Sequence, residues 1–224
     1  MSGAASKEYS FEKSLEKMLK DWDGIEFLVM PYKDSGTFIV GGIDDIQMIL
    51  DEQTVKILSM CASPFVKPFE DQAFRWRKII LDLQALVDNW ITCQGTWQYL
   101  GPIFGSRDIM RQMPTEGELF QTVDQTWRDV MKKTYAVPNC LEAAKDADRL
   151  QKLIEANRLL ELVNKGLAQY LEVCSSWIPT HNCSILIHSF HVPLLRSLLK
   201  LDLTHPLSIF WKENYSYVMT CKPT

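Results

Sequence analysis

The sequence predicts a mainly α-helical protein, an elongated helical bundle with one small β-hairpin near its N-terminus. Three observations carry this. Phe69, Trp76, Leu83, Trp90 and Trp97 recur every seven residues, and Ile79, Leu86, Cys93 and Leu100 follow the last four of them three positions later. The two series read as the a and d positions of a heptad, the mark of a long helix buried along one seam. Through most of the chain up to residue 172, apolar residues return at spacings of three and four, the period of an amphipathic helix. Residues 25–40 depart from it, with two runs of β-branched and aromatic residues around a turn-forming tetrad.

The first helix is expected over residues 6–22, where Phe11, Leu15, Met18 and Trp22 share one face, and it stops at Asp23-Gly24. The hairpin pairs residues 25–32 with 37–40 around Lys33-Asp34-Ser35-Gly36, and Gly41-Gly42 ends it. Residues 43–60 return to a helical period with Ile43, Ile46, Ile49, Leu50, Ile57 and Leu58 inward and Asp44, Asp45, Asp51 and Glu52 on other faces. Residues 59–68 read as a connector, because Pro64 and Pro68 each disfavour helix in the residue before them. Pro68 can start the heptad helix, which would run about 50 Å and so points to a rod-like bundle. Ile80 and Val87 widen its stripe. Gly95, off the seam, is its weak point, costing about 1 kcal/mol against alanine and marking a bend.

Pro102 terminates that helix, and Ser106-Arg107-Asp108 opens a short one with a hydroxyl cap, stopped by Pro114. Thr115-Glu116-Gly117-Glu118 reads as a capping box for a helix burying Leu119, Phe120, Val123, Trp127, Val130 and Met131. Asn139 caps the last long helix, with Glu142 at its third position and Leu150, Leu153, Ile154, Leu160, Val163, Leu167, Tyr170 and Leu171 along it to Glu172. Beyond Val173 the character changes. All four histidines and three of the six cysteines lie there, so residues 173–224 read as a weakly ordered tail with one amphipathic run at 194–203.

Of the 224 residues, 46% are hydrophobic and 23% charged, enough to bury a sizeable core. A net charge of −4 gives no electrostatic reason to expect nucleic acid or an anionic membrane as partner, and Arg75-Trp76-Arg77-Lys78 reads as a solvated helix face. No apolar run approaches the roughly 18 to 20 residues of a membrane span. The N-terminus lacks the apolar core of a signal peptide, which predicts a cytosolic protein with reduced thiols. The cysteines form no Cys-x-x-Cys pair, against both a disulfide framework and a standard zinc module.

Candidate chemistry is sparse. His181, Cys183, His188 and His191 could supply four ligands, but their spacing fits no standard module and no metal site is assigned. Cys93 has no histidine before residue 181 to act as its base and reads as a half-buried structural thiol. Asp44 and Asp45 read as a solvated helix start. No phosphate-binding Gly-x-x-x-x-Gly-Lys-Ser/Thr loop is present, so no catalytic, cofactor-binding or metal-binding residue is expected.

One segment goes further. Trp97-Gln98-Tyr99-Leu100-Gly101-Pro102-Ile103-Phe104, followed by Asp108-Ile109, Gln112-Met113-Pro114, Glu116, Phe120, Val123-Asp124 and Trp127, resembles the linker region of dynein heavy chains, nearest to axonemal inner-arm chains. Ser63-Pro64-Phe65-Val66-Lys67-Pro68-Phe69 upstream, and Ala156-Asn157-Arg158-Leu159-Leu160-Glu161 and Leu167-Ala168-Gln169-Tyr170-Leu171-Glu172 downstream, continue it. The signature set is Trp90, Trp97, Tyr99, Leu100, Pro102, Ile103, Phe104, Asp108, Pro114, Phe120, Asp124 and Trp127. On this reading residues 1–10 are an extension, 11–172 a linker-like helical domain and 173–224 a divergent tail. Gly101 stands where the family usually has an acid. After Glu172 the chain reads Val173-Cys174-Ser175-Ser176-Trp177 in place of the family's Pro-Arg-aromatic-Phe continuation, as a truncated or read-through product would.

The resemblance implies a mechanical part of a microtubule motor: a helical rod lying across a ring of AAA+ modules, whose bending delivers the power stroke. Trp76, Trp90, Trp97 and Trp127 would be its packing anchors. Implied partners are the dynein AAA+ ring and dynein intermediate or light intermediate chains, with microtubules reached only indirectly and no nucleic acid, membrane or cofactor. The implied location is the cytoplasm, the cytoskeleton and the ciliary axoneme. Without a nucleotide-binding loop the chain itself is not expected to be an enzyme, although the family is an ATP-driven motor. The alternative reading is a stand-alone helical interaction module that binds dynein subunits or other proteins.

Overall fold

The computed structural model describes residues 2–177, which are mainly α-helical with one two-stranded antiparallel hairpin, as expected. The tail run at 194–203 and the cluster of His181, Cys183, His188 and His191 lie outside the described residues. By compactness the chain divides into two units, Met1–Gln94 with Val123–Arg158, and Gly95–Thr122 with the chain from Leu159 on.

In the first unit, α1 (Ser2–Asp21) starts earlier than expected, so residues 2–10 continue the helix that carries Phe11. Alanine, lysine and glutamate in this stretch all favour that. Leu15, Met18 and Trp22 are buried, while Phe11 meets Phe69 edge-on at 6.5 Å between ring centroids. β1 (Leu28–Pro31) and β2 (Phe38–Gly41) pair with Val29 opposite Val40 and Met30 opposite Ile39. The turn between them needs Lys33 and Gly36 at φ of 47° and 69°, which glycine meets without cost.

α2 (Ile43–Cys61) buries Ile46, Leu50, Gln53, Ile57 and Met60. Leu58, expected inward, is exposed, and buried Gln53 accepts the Trp22 Nε1–H at 2.7 Å. The expected connector is partly ordered as a 3-10 helix (Pro64–Phe69), with the Phe65 N–H donating to the Ser63 hydroxyl at 3.4 Å.

α3 (Glu70–Phe104) is 35 residues long and contributes to both units. Its buried positions include Trp76, Ile80, Leu83, Leu86, Val87 and Trp90 in the first unit and Trp97 and Leu100 in the second. The half-buried Ile79 yields to the fully buried Ile80, as a 3.6-residue turn drifting against a seven-residue repeat requires. Pro102 does not terminate α3 but lies inside its last turn. The proline leaves the Gln98 carbonyl without its usual donor and crowds it, and the helix ends two residues later, closing through Gly105 N–H to Gly101 O at 2.9 Å and Ser106 N–H to Ile103 O at 3.2 Å.

In the second unit, α4 (Arg107–Gln112) follows Ser106, whose hydroxyl makes no cap bond, contrary to expectation. α5 (Pro114–Ala136) begins at Pro114, and the Gly117 N–H donates to Met113 O at 2.9 Å. Met113 is therefore the capping residue and Thr115 is already helical, so the expected Thr115–Glu118 box gives way to a proline start. Phe120 in this unit, and Val123, Trp127, Val130 and Met131 in the first, are buried as expected, whereas Leu119 is half-buried.

The last expected helix is two. Asn139 caps α6 (Cys140–Lys145), accepting the Glu142 N–H at 3.1 Å as predicted. Asp146 then breaks the run and opens α7 (Ala147–Trp177), its carboxylate accepting the Arg149 N–H at 3.3 Å. Ile154 is exposed and Ala156 takes a buried place, while α7 runs five residues past Glu172 to Trp177.

Candidate functional site

Two packed arrangements carry the signature residues. In the first unit the hairpin is seated on helices by polar side chains. Gln94 on α3 accepts the Val40 N–H and donates to the Val40 carbonyl, both at 2.9 Å. Trp127 on α5 donates its indole N–H to Phe38 O at 3.3 Å. Val40 and Phe38 alternate along β2, so both present their peptide groups to its unpaired edge. Two side chains thus occupy the edge where a third strand would bind.

Around this seat, Arg128 donates to Ser35 O at 2.9 Å and pairs with Asp124 at 2.7 Å, which ties the turn to α5. Phe38 stacks on Tyr135 at 4.4 Å, and Phe27 packs against Trp90 at 5.1 Å. The Phe27 N–H donates to Pro138 O at 2.8 Å, and the Cys140 N–H to Ile25 O at 3.2 Å. α7 joins through Asn157, whose amide donates to Asn89 O at 2.9 Å and Asn89 Oδ1 at 3.1 Å.

The second unit holds most of the signature. Trp97, Tyr99, Leu100, Ile103 and Phe104 are buried, and Phe104 stacks on Phe120 at 5.3 Å. Pro102, Asp108 and Pro114 are exposed, Asp108 reaching Arg111 only at 4.0 Å. The Tyr170 hydroxyl donates to Gln112 Oε1. A Cβ on Gly166 would meet the Glu116 side chain, which lies over that glycine. Within the signature, therefore, Trp90, Asp124 and Trp127 belong to the first unit and the other nine residues to the second.

Sequence reasoning missed Gln94, Asn89, Asn157 and Gly166. The polar pairs leave no local signature, and a glycine inside a helix does not by itself mark a contact, since Gly95 inside α3 is exposed.

Electrostatically the arrangement is quiet. Burial pushes the Cys93 thiol up to about 12, and burial with the nearby Glu26 carboxylate does the same to Cys140. Cys93 is fully buried, deeper than expected. Burial also raises the Tyr99 phenol to about 12. Arg149, only 6% exposed, has its Nε 3.5 Å from Asp146 Oδ2, a charge contact without hydrogen-bond alignment. Among the described residues, no group of three or more His, Cys, Asp or Glu is placed to hold a metal ion, and no helix is long and apolar enough to cross a membrane. An open cavity of about 510 Å³ beside α1 and α6 sets Lys20 and Lys145 against Asp23 and Glu142, so its lining favours neither charge.

A family model described as "Dynein heavy chain, N-terminal region 2" matches residues 1–174. Its match takes in the ten residues read as an extension and ends two residues beyond Glu172. Over 172 residues, 77% of the chain, the sequence is 44% identical to dynein axonemal heavy chain 12 of Rattus norvegicus and 45% identical to dynein axonemal heavy chain 3 of Homo sapiens. It is 40% identical over 175 residues to dynein axonemal heavy chain 1 of Mus musculus. The matched stretch is 6%, 4% and 4% of those three relatives, respectively.

Proposed function

Because the chain belongs to the dynein heavy chain N-terminal region 2 family, we propose that it forms part of the linker, the mechanical lever of an axonemal, inner-arm-type dynein heavy chain, and serves microtubule-based ciliary movement. The observation that carries this is α3, a helix of 35 residues with Trp76, Trp90 and Trp97 buried along it. A lever must transmit force without yielding locally, and large buried aromatics resist local opening. The twelve signature residues act as packing and turn elements of that lever, with no catalytic role. Residues 11–172 are its linker-like part, 1–10 an extension and 173–224 a divergent tail.

In this role the chain binds no cofactor and turns over no ATP, which is the task of an AAA+ ring that the linker contacts. Intermediate or light intermediate chains are further partners, microtubules are reached only through the rest of the motor, and the site of action is the ciliary axoneme. Pull-down of the chain with a purified dynein ring tests the reading. Retention on the ring is expected, and loss of all contact would overturn it. The second reading, a stand-alone helical interaction module, is favoured by exposed Met48 and Val55.

A further inference from the structure

α2 is amphipathic twice over. Its inner ridge, Ile46, Leu50, Gln53, Ile57 and Met60, packs into the core of the first unit. Two residues out of phase, and so about 200° around the helix, Asp44, Met48, Asp51, Val55 and Leu58 form a second ridge. Met48 is 68% and Val55 70% exposed, more than any other large hydrophobic residue among those described. A helix that serves only one core carries polar residues on its far side.

The charges along this face are mainly acidic, with Lys56 and Lys17 beside Glu52 as its cations. Asp44, Asp45 and Asp51 have no ion pair among the described residues, and Glu52 is the one acid of the four held by a lysine, Lys56. Asp44 and Asp45 suit the positive end of the helix dipole. Asp51 lies mid-helix between Met48 and Val55, where the dipole offers it nothing.

We propose that the outer ridge of α2 is a docking surface for an amphipathic helix of another protein, one whose apolar stripe is bordered by lysine or arginine. Met48 and Val55 stand seven residues, or about 10.5 Å, apart, the length over which a partner helix presents its i, i+3, i+4 and i+7 side chains. The flanking carboxylates select basic neighbours for that stripe. Pairing of two copies through this face would set like charges together, and nucleic acid or an anionic membrane would meet the same repulsion. The surface does not depend on the lever role.

The test titrates the full chain with a designed helical peptide carrying leucines at i, i+3, i+4 and i+7 flanked by lysines, and with its glutamate counterpart, by fluorescence anisotropy. The lysine peptide is expected to bind at least tenfold tighter, and more weakly as salt rises. Met48→Ser with Val55→Ser should weaken it about tenfold with an unchanged melting curve, both positions being exposed. Asp51→Lys should narrow the preference between the two peptides. No binding, equal binding of the two peptides, or binding indifferent to Met48→Ser and Val55→Ser would overturn the proposal. So would a concentration-dependent dimer abolished by Val55→Ser, which would make the occupant a second copy.

Discussion

The side-chain amide of Gln94 meets both peptide groups of Val40, 54 residues away, through two bonds of 2.9 Å. In effect α3 supplies β2 with the neighbour that a larger sheet would have given it. Gln94→Leu leaves a buried N–H and C=O unpaired and should cost about 2 kcal/mol, lowering the melting temperature by roughly 4–8 °C. A melt within 1 °C of the parent chain would mean water satisfies Val40 equally well.

Trp127 and Trp97 are 1% and 4% exposed, so truncation of either to alanine should cost about 3–5 kcal/mol. Conservative changes separate two kinds of tryptophan. Trp127 donates to Phe38 O, whereas the Trp90 indole N–H has no hydrogen-bond partner among the described residues. Trp127→Phe should therefore be the more destabilising of the two phenylalanine variants, by about 1 kcal/mol in denaturant melts.

Gly95 is exposed within α3, and a Cβ there would touch nothing within 4 Å among the described residues. Gly95→Ala should stabilise the chain by about 0.5–1 kcal/mol through the narrower unfolded ensemble. A loss of stability would show instead that the glycine relieves a strain.

Asp146 both caps α7 and faces the buried Arg149 guanidinium. Asp146→Ala should cost more than Asn139→Ala, which removes a cap alone and about 1 kcal/mol. Combining Asp146→Ala with Arg149→Met should recover part of the difference in a double-mutant cycle.

Cys93 and Cys140, near 9 in the unfolded chain, and Tyr99, near 10, are all raised to about 12 by burial. Between those limits the folded chain binds more protons than the unfolded one, so the stabilisation is complete below about pH 9 and is lost as pH rises toward 12. The slope reaches about 1.4 kcal/mol per pH unit for each such group. Urea melts from pH 8 to 11 should show the decline, and thiol alkylation at pH 8 should reach Cys93 and Cys140 only after denaturation.

Local pattern was the readable part of this fold. The heptad from Trp76 to Leu100, the hairpin tetrad and the Asn139 cap are all specified by neighbours within one or two turns. Pro102 and the single helix expected from Asn139 to Glu172 misled: α3 runs two residues past the proline, and the aspartate at 146, which can sit on a helix or start one, starts a second helix here. Of the candidate site, the buried aromatics were legible and their supports were not. Gln94 and Asn157 meet partners 54 and 68 residues away, and nothing in their own surroundings announces it.

The hairpin's seat also sets an order of events during synthesis. Phe38 is translated 89 residues before the Trp127 that binds its carbonyl, and Ser35 is 93 residues ahead of Arg128. At roughly 5–20 residues per second, the ribosome needs about 5 to 20 s to deliver those partners. For that interval the edge of β2 can at most be covered by Gln94, and a nascent chain waiting on a slow codon between residues 94 and 127 would offer it to any strand nearby.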